Sequence, residues 1–311
     1  MPDIVAITMN PALDLSTTTE AVVLTHKLRC ATPRYDPGGG AINVVREART
    51  LGVDALAVFP AGGPTGRTLQ ELLNRSGIPH RLVPIAGQTR VSFTADEHRS
   101  GGQYRFVFPG PEVSDAEQQA CLAVLAEAAR GARFVVATGS LPPGVRPDFL
   151  QQVADVTQGL GARLLLDTSG DALSGMRNGV YLLKPSGREL REYAGRDLQR
   201  TDEQVEAARS LIETGVTTVV VVSLGSKGAL LVTADDHEAF PALNVPVRSA
   251  VGAGDSMVAG IAVGLVRGYD LRKAVWLGTA AGAATLMTPG TEPCNRDDVE
   301  RLFAETQKPS A

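Results

Sequence analysis

Four runs decide the fold: Phe134-Val135-Val136-Ala137, Leu164-Leu165-Leu166-Asp167, Tyr181-Leu182-Leu183-Lys184 and Thr218-Val219-Val220-Val221-Val222-Ser223. Each has the length of a strand and is nearly unbroken in apolar character, without the alternation of a sheet wetted on one side. Around them the spacing turns helical, from Ser114 to Ala129, Phe149 to Gln158 and Asp202 to Glu213. Such alternation predicts a parallel sheet covered by helices on both faces. The rhythm extends upstream through strand Ile4–Thr8, a helix carrying Ile42, Val45, Ala48 and Leu51, strand Val53–Phe59 and helix Thr65–Arg75. Residues 14–36 and 89–108 break it. They are β-branched and polar and lack a helix, which predicts a small separate sheet. The expected architecture is an α/β body of residues 1–13, 37–88 and 109–311 with a β lid formed by 14–36 and 89–108.

Composition narrows the function classes. The 311 residues carry a net charge of −4, so any bound anion needs a local cluster of cations, and a nucleic-acid partner is not expected. No stretch approaches the ~20 apolar residues of a membrane span, and no membrane partner is expected. Cys30, Cys121 and Cys294 are scattered and odd in number, which argues against a disulfide framework and for a reducing cytoplasm. His26, His80, His98 and His237 show no zinc spacing.

The glycine clusters carry the chemistry. Gly252-Ala253-Gly254-Asp255 opens an apolar helical pattern reaching Val266. Small residues with free amides at a helix start favour an anion. An aspartate there repels phosphate, unless it takes a proton from a hydroxyl aligned with a phosphoryl group. Equally, Asp255 is a good helix cap. Pro37-Gly38-Gly39-Gly40-Ala41-Ile42-Asn43 is a second glycine loop entering a helix, with Asn43 placed to meet a polyol; a bland strand-to-helix turn is the alternative. Ser223-Leu224-Gly225-Ser226-Lys227-Gly228 reads as a phosphate shelter or as a simple hairpin. Lys27, Arg29, Arg90 and Arg105 concentrate positive charge on the lid segments, suiting a substrate that already bears phosphate. After the strand ending at Lys184, Glu189 either reaches magnesium through water or is a solvated first-turn residue.

In this order the motifs resemble the ribokinase-like PfkB family of ATP-dependent sugar kinases, over about residues 3 to 305. The resemblance rests on Pro37–Asn43, on Ser249-Ala250-Val251-Gly252-Ala253-Gly254-Asp255-Ser256 and on Asn10-Pro11-Ala12-Leu13-Asp14. Gln103-Tyr104-Arg105-Phe106-Val107 and Gly139-Ser140-Leu141-Pro142-Pro143-Gly144 are similar to the branch that phosphorylates fructose 6-phosphate. It implies a ribokinase-like, Rossmann-type αβα sandwich whose β lid also clasps a second subunit. It implies transfer of the ATP γ-phosphoryl group to the 1-hydroxyl of fructose 6-phosphate, with Mg²⁺. Asp255 would be the base, and Gly252, Ala253 and Gly254 the anion hole. Asp14, Gly38, Gly39, Gly40 and Asn43 would hold the sugar, and Lys27, Arg90 and Arg105 its phosphate, with Ser140 nearby. Lys184, Ser186, Ser223, Gly225, Gly228, Ala283 and Thr288 would face the nucleotide. Ser249, Val251, Thr285, Thr288 and Gly290 would surround a K⁺ ion. Ser186 stands where the family has asparagine, and Glu292 where this branch has a basic residue. Rival readings are a kinase for tagatose 6-phosphate or fructose 1-phosphate and a non-catalytic sugar-phosphate sensor.

Overall fold

A computed structural model describes residues 1–168, 170–290 and 292–307; residues 308–311 of the segment assigned to the body lie outside that range. The chain begins β1 (Ile4–Ile7), β2 (Ala12–Thr19), β3 (Arg34–Gly38), α1 (Gly40–Thr50), β4 (Ala55–Ala61), α2 (Gly63–Arg75) and β5 (His80–Pro84). There follow β6 (Arg90–Glu97), β7 (Gln103–Val107), α3 (Asp115–Ala128), β8 (Phe134–Thr138), α4 (Phe149–Gly159), β9 (Arg163–Asp167), α5 (Asp171–Ser174) and β10 (Val180–Leu183). The remainder is α6 (Gly187–Ala194), α7 (Thr201–Glu213), β11 (Thr217–Ser223), β12 (Ala229–Val232), β13 (His237–Phe240), α8 (Ala253–Val266), α9 (Leu271–Leu286) and α10 (Arg296–Thr306).

Among the described residues, nine strands form the main sheet in the order β13-β12-β11-β10-β9-β8-β1-β4-β5. Seven of them run parallel, and β12 and β13 add an antiparallel edge. Successive residues of a strand face opposite sides, so both sides of β1 must be apolar. Ile4 and Ala6 enter a core shared with α1, α2, α8, α9 and α10, whereas Val5 and Ile7 enter one shared with α3, α4, α6 and α7. The doubly covered α/β body predicted from the four apolar runs is thus present.

Chain order reverses beside β1. The polypeptide adds β4 and β5 on one side and then returns to lay β8 on the other. Loops leaving the carboxyl ends of β1 and β8 therefore diverge and open a crevice, the usual ligand position in such sheets. Helix α8 points its amino end at that crevice. It is buried from Ser256 to Leu265 and packs tightly on α9: a Cβ on Gly260 would fall 2.7 Å from the Gly278 Cα.

A second sheet has the order β3-β2-β6-β7. Its register sorts the side chains. Asp14 lies opposite Asp36 and Ser92, Ser16 opposite Arg34 and Thr94, and Thr94 opposite Arg105, giving one polar face. Leu15 lies opposite Tyr35 and Phe93, and Phe93 opposite Phe106, giving an apolar face on the other side. Strand β2 starts at Ala12 and β3 ends at Gly38, so both reach past the expected 14–36 limits. Residues 20–33 join them without a named strand, where extended chain was expected.

Candidate active site

The crevice is lined by residues that end parallel strands or begin helices. Helix α8 starts at Gly252, whose φ of 82° is left-handed and suits glycine. No side chain caps this helix. The first-turn amides of Ala253, Gly254 and Asp255 have no intrahelical acceptor and aim partial positive charge into the crevice. Asp255 sits in the third position of the helix, so the capping alternative is excluded. Its Oδ2 accepts from Asn43 Nδ2 at 2.9 Å and its Oδ1 from Thr138 Oγ1 at 3.2 Å. Burial raises its pKa above the usual carboxylate range, although Asn43, Lys184 and Thr138 oppose the shift. A carboxylate so held is a fixed, strengthened base.

The glycine loop is explained by these same groups. A Cβ on Gly40 would lie 2.4 Å from Thr138 Oγ1 and 3.0 Å from Asp255 Oδ1, and one on Gly38 would meet Asp14 Oδ2 at 2.3 Å. Gly39 takes a φ of 125°. The turn is therefore backbone laid directly against two carboxylates.

On the lid side, burial lifts Asp14 to about 6, with Asp36 adding to the rise and Arg90 and Arg105 opposing it. Arg90 donates to the carbonyl oxygens of Asn10 and Phe108, fixing its guanidinium where the lid meets β1. Asp14, Ser92, Arg34, Arg105 and Gly290 line a cavity of about 230 Å³. Asn10 donates to Ser140 Oγ at 3.1 Å. Lys27 stands apart from the expected group: it is exposed on the 20–33 segment and lines neither this cavity nor the next.

On the opposite side of α8, Lys184 Nζ lies 3.2 Å from Asp167 Oδ1 and faces Gly254, where a Cβ would be 3.7 Å away. Burial and the neighbouring carboxylates raise Asp167 to about 6 against the pull of Lys184. A bridge between Ser186 and Ser223 draws together the loops after β10 and β11. Gly225 and Gly228 both have positive φ, and a Cβ on Gly228 would strike the Phe240 carbonyl at 1.9 Å. Ser223, Gly225 and Gly228 border an apolar cavity of about 290 Å³ that also takes in Leu243, Met257 and Ala283, whereas Ser186 and Lys184 do not line it. It suits a flat heterocycle.

One expectation meets different geometry. Thr288 does not line that cavity; its hydroxyl donates to the Thr285 and Glu292 carbonyls, closing the end of α9. Glu189 accepts the Ser186 amide as half of a capping box on α6, which ties up one of its oxygens. Thr138 and Asp167 were not anticipated. Both end parallel strands at the crevice, the position that could have signalled them.

A carboxylate base facing free helix amides, with a lysine beside them, defines a phosphotransferase acting on a hydroxyl. The model of the pfkB family of carbohydrate kinases matches residues 4–298, and the chain belongs to that family. It is 54% identical to ATP-dependent 6-phosphofructokinase isozyme 2 of Mycobacterium tuberculosis over 99% of this chain and 91% of the relative. Identity to the isozyme 2 protein of Escherichia coli is 38%, covering 98% of this chain and 99% of that one. The crystal structure of phosphofructokinase-2 from Escherichia coli in complex with fructose-6-phosphate superposes with a TM-score of 0.92 at 36% identity, covering 99% and 100% of the two chains.

Proposed function

We propose that the protein transfers the γ-phosphoryl group of ATP to the 1-hydroxyl of fructose 6-phosphate, yielding fructose 1,6-bisphosphate, ADP and a proton. One observation carries the reading: Asp255 and the open amides of α8 lie between a polar lid face, which brings Arg105 and the ion-paired Arg34 beside the carboxylates Asp14, Asp36 and Asp96, and an apolar cavity fit for adenine. The sugar lies under the lid, with a hydroxyl accepted by Asp14 and its phosphate met by Arg105 and the free donors of Arg90. Asp255 receives the proton as the acceptor oxygen attacks. The α8 amides and Lys184 offset the charge on the transferring group, which in a loose transition state resides on its peripheral oxygens. Gly38, Gly39, Gly40 and Asn43 shape the sugar floor, and Ser186, Ser223, Gly225, Gly228 and Ala283 border the nucleotide.

Bound together with ATP, magnesium would neutralise the charge of its phosphates. Among the described residues no group of three His, Cys, Asp or Glu forms a resident cage. Asp167 is paired with Lys184 and Glu189 caps α6, so both carboxylates fit contact through water. Some of the proposed potassium ligands already bond one another. Ser249 donates to the Gly290 carbonyl and accepts the Val251 amide, and Thr288 donates to the Thr285 carbonyl. An ion there competes with these hydroxyls, and no step is assigned to it. The exposed apolar lid face fits a second copy of the chain. Three free cysteines suit a reducing cytoplasm, and among the described residues no helix is long and apolar enough to cross a membrane.

Steady-state kinetics with ATP and a panel of ketose phosphates tests the substrate. Fructose 6-phosphate should show the highest kcat/KM; preference for tagatose 6-phosphate or fructose 1-phosphate would refute that choice. Asp255→Asn should lower kcat by about 10³-fold while both KM values change little. Near wild-type kcat would remove Asp255 from the chemistry.

A further inference from the structure

Directly behind Asp255 lies a polar cluster with no assigned role. Glu47 is 3% exposed and follows Asn43 by one turn of α1, so both side chains face α8. The Glu47 carboxylate accepts the Cys294 amide at 3.0 Å and the Cys294 thiol, and Ser256 borders the same small cavity as Glu47, where its side chain helps to offset the rise that burial imposes on the Glu47 pKa. Ser256 Oγ in turn lies 2.7 Å from Thr285 Oγ1 on α9. Ser256, Thr285 and Cys294 are buried as well. One carboxylate thus ties α1 and the segment before α10 to the residue following Asp255, which is itself bonded to α9.

A buried carboxylate is an expensive way to fill a core, and similarly sized apolar residues commonly stabilise as well or better. What it supplies is direction. The remainder of α8 is held mainly by apolar contacts and the Gly260–Gly278 approach, with Arg133 donating to the Leu265 and Val266 carbonyls at its far end; the apolar part fixes rotation of the first turn weakly because hydrophobic attraction is non-directional. Hydrogen bonds fix angle and depth. Phosphoryl transfer depends almost wholly on positioning, and displacement of a catalytic group by 1 Å can cost about 10²-fold.

We propose that Glu47 is a positioning residue for the kinase reaction: through Ser256 it sets the rotation and depth of the first turn of α8, and thereby aims Asp255 and the anion-binding amides. It touches no reacting group. The inference rests on the kinase reading above.

The test uses the full chain with Glu47→Ala, Glu47→Gln, Ser256→Ala and the Glu47→Ala/Ser256→Ala pair, each checked for cooperative melting. Active sites are counted by single-turnover ADP formation. Per active site, Glu47→Ala should lower kcat about tenfold with both KM values within about twofold, the signature of a contribution felt only in the transition state. Glu47→Gln should recover to within about threefold of wild type, since an amide retains one acceptor. Ser256→Ala should cost about threefold alone and almost nothing more in the Glu47→Ala background, because the two act through one connection. Hydrogen exchange at Ser256, whose amide donates to the Gly252 carbonyl, and at the residues that follow it in α8 should quicken in Glu47→Ala. Wild-type kcat per active site in Glu47→Ala overturns the proposal, as does additivity in the pair. If Glu47→Ala fails to fold, unchanged kcat in Ser256→Ala overturns it equally. Wild-type turnover of a different ketose phosphate would sink only the substrate choice, and the variants are then compared on that sugar. A wild-type protein inactive on every sugar refutes both readings.

Discussion

Asn43 Nδ2 donates to Asp255 Oδ2 at 2.9 Å, joining the first glycine loop to the tip of α8 across 212 residues of sequence. The bond stabilises the ionised carboxylate against the burial that raises its pKa. Asn43→Ala removes that support, so the pKa of Asp255 should rise further. The acid limb of kcat/KM, which reports the ionised base in the free enzyme, should then move to higher pH, by about one unit for a lost hydrogen bond worth ~1.4 kcal/mol. pH–rate profiles of the two proteins check this; an unmoved limb would show that Asn43 does not tune the base.

Close backbone approach yields the second prediction. In Gly40→Ala the added methyl must displace Thr138 Oγ1, which would be 2.4 Å away, and press on Asp255 Oδ1 at 3.0 Å. A shift of the base by a fraction of an ångström should lower kcat by about 10²-fold. Thermal stability should change by only a few degrees, because the crowded atoms are side-chain termini at a crevice rather than packed core. Wild-type kcat in Gly40→Ala would mean that the crevice is roomier than its geometry indicates.

Much of this arrangement was legible in the chain because its physics is local. Strands β8, β9, β10 and β11 read as unbroken apolar runs since helices cover both of their faces. Strand β5 went unread: His80 and Arg81 are partly or largely exposed at the sheet edge. Helix α9 escaped because its packing surface is made of Ala and Gly fitted against α8, leaving little amphipathic signal. Asp255 and Asn43 stood out as motif residues, but their pairing is a tertiary fact. Glu47 gave no signal at all. On a helix a glutamate normally reads as solvated, and only the fold brings Cys294 and Ser256 against it.

Asp14 supplies a pH prediction whose sign follows from its raised pKa of about 6. Unfolded, the group titrates near 3.8, so between those values the folded state binds more protons. Stability contributed by this group is full below the unfolded value and is lost as pH rises through about 6. Asp14→Asn should therefore raise Tm at pH 7 by about 3 °C, roughly 1 kcal/mol after solvent screening, and change it little at pH 4. Activity should run the other way. On the proposed reading the ionised carboxylate accepts a sugar hydroxyl, so the wild-type sugar KM should climb as pH falls through about 6. The sugar phosphate also titrates in this range, and Asp14→Asn, lacking the carboxylate, isolates that contribution. Equal pH dependence of Tm in the two proteins would contradict the assignment.

The lid presents the last test. Tyr35, Tyr104 and Phe106 are 46%, 39% and 51% exposed, and Phe106 stacks on Phe93 at 5.8 Å. These rings occupy the face opposite Asp14 and Arg105, although Phe106 also reaches the cavity that Asp14 and Arg105 line. An aromatic patch on a four-stranded sheet is costly to leave in water, and a second copy offers the matching apolar surface by symmetry. Stable pairs bury about 800 Å² on each partner, an area of the order of one face of such a sheet. Light scattering at micromolar concentration should accordingly give a dimer. Phe106→Asp, placing a charge at the centre of the patch, should shift it to monomer. On the proposed reading one lid both pairs with a second copy and meets the sugar phosphate, so the monomer should show a sugar KM raised at least about tenfold with the ATP KM little changed. A Phe106→Asp protein that stays dimeric would move the interface elsewhere. A monomer with wild-type sugar KM would separate assembly from substrate binding.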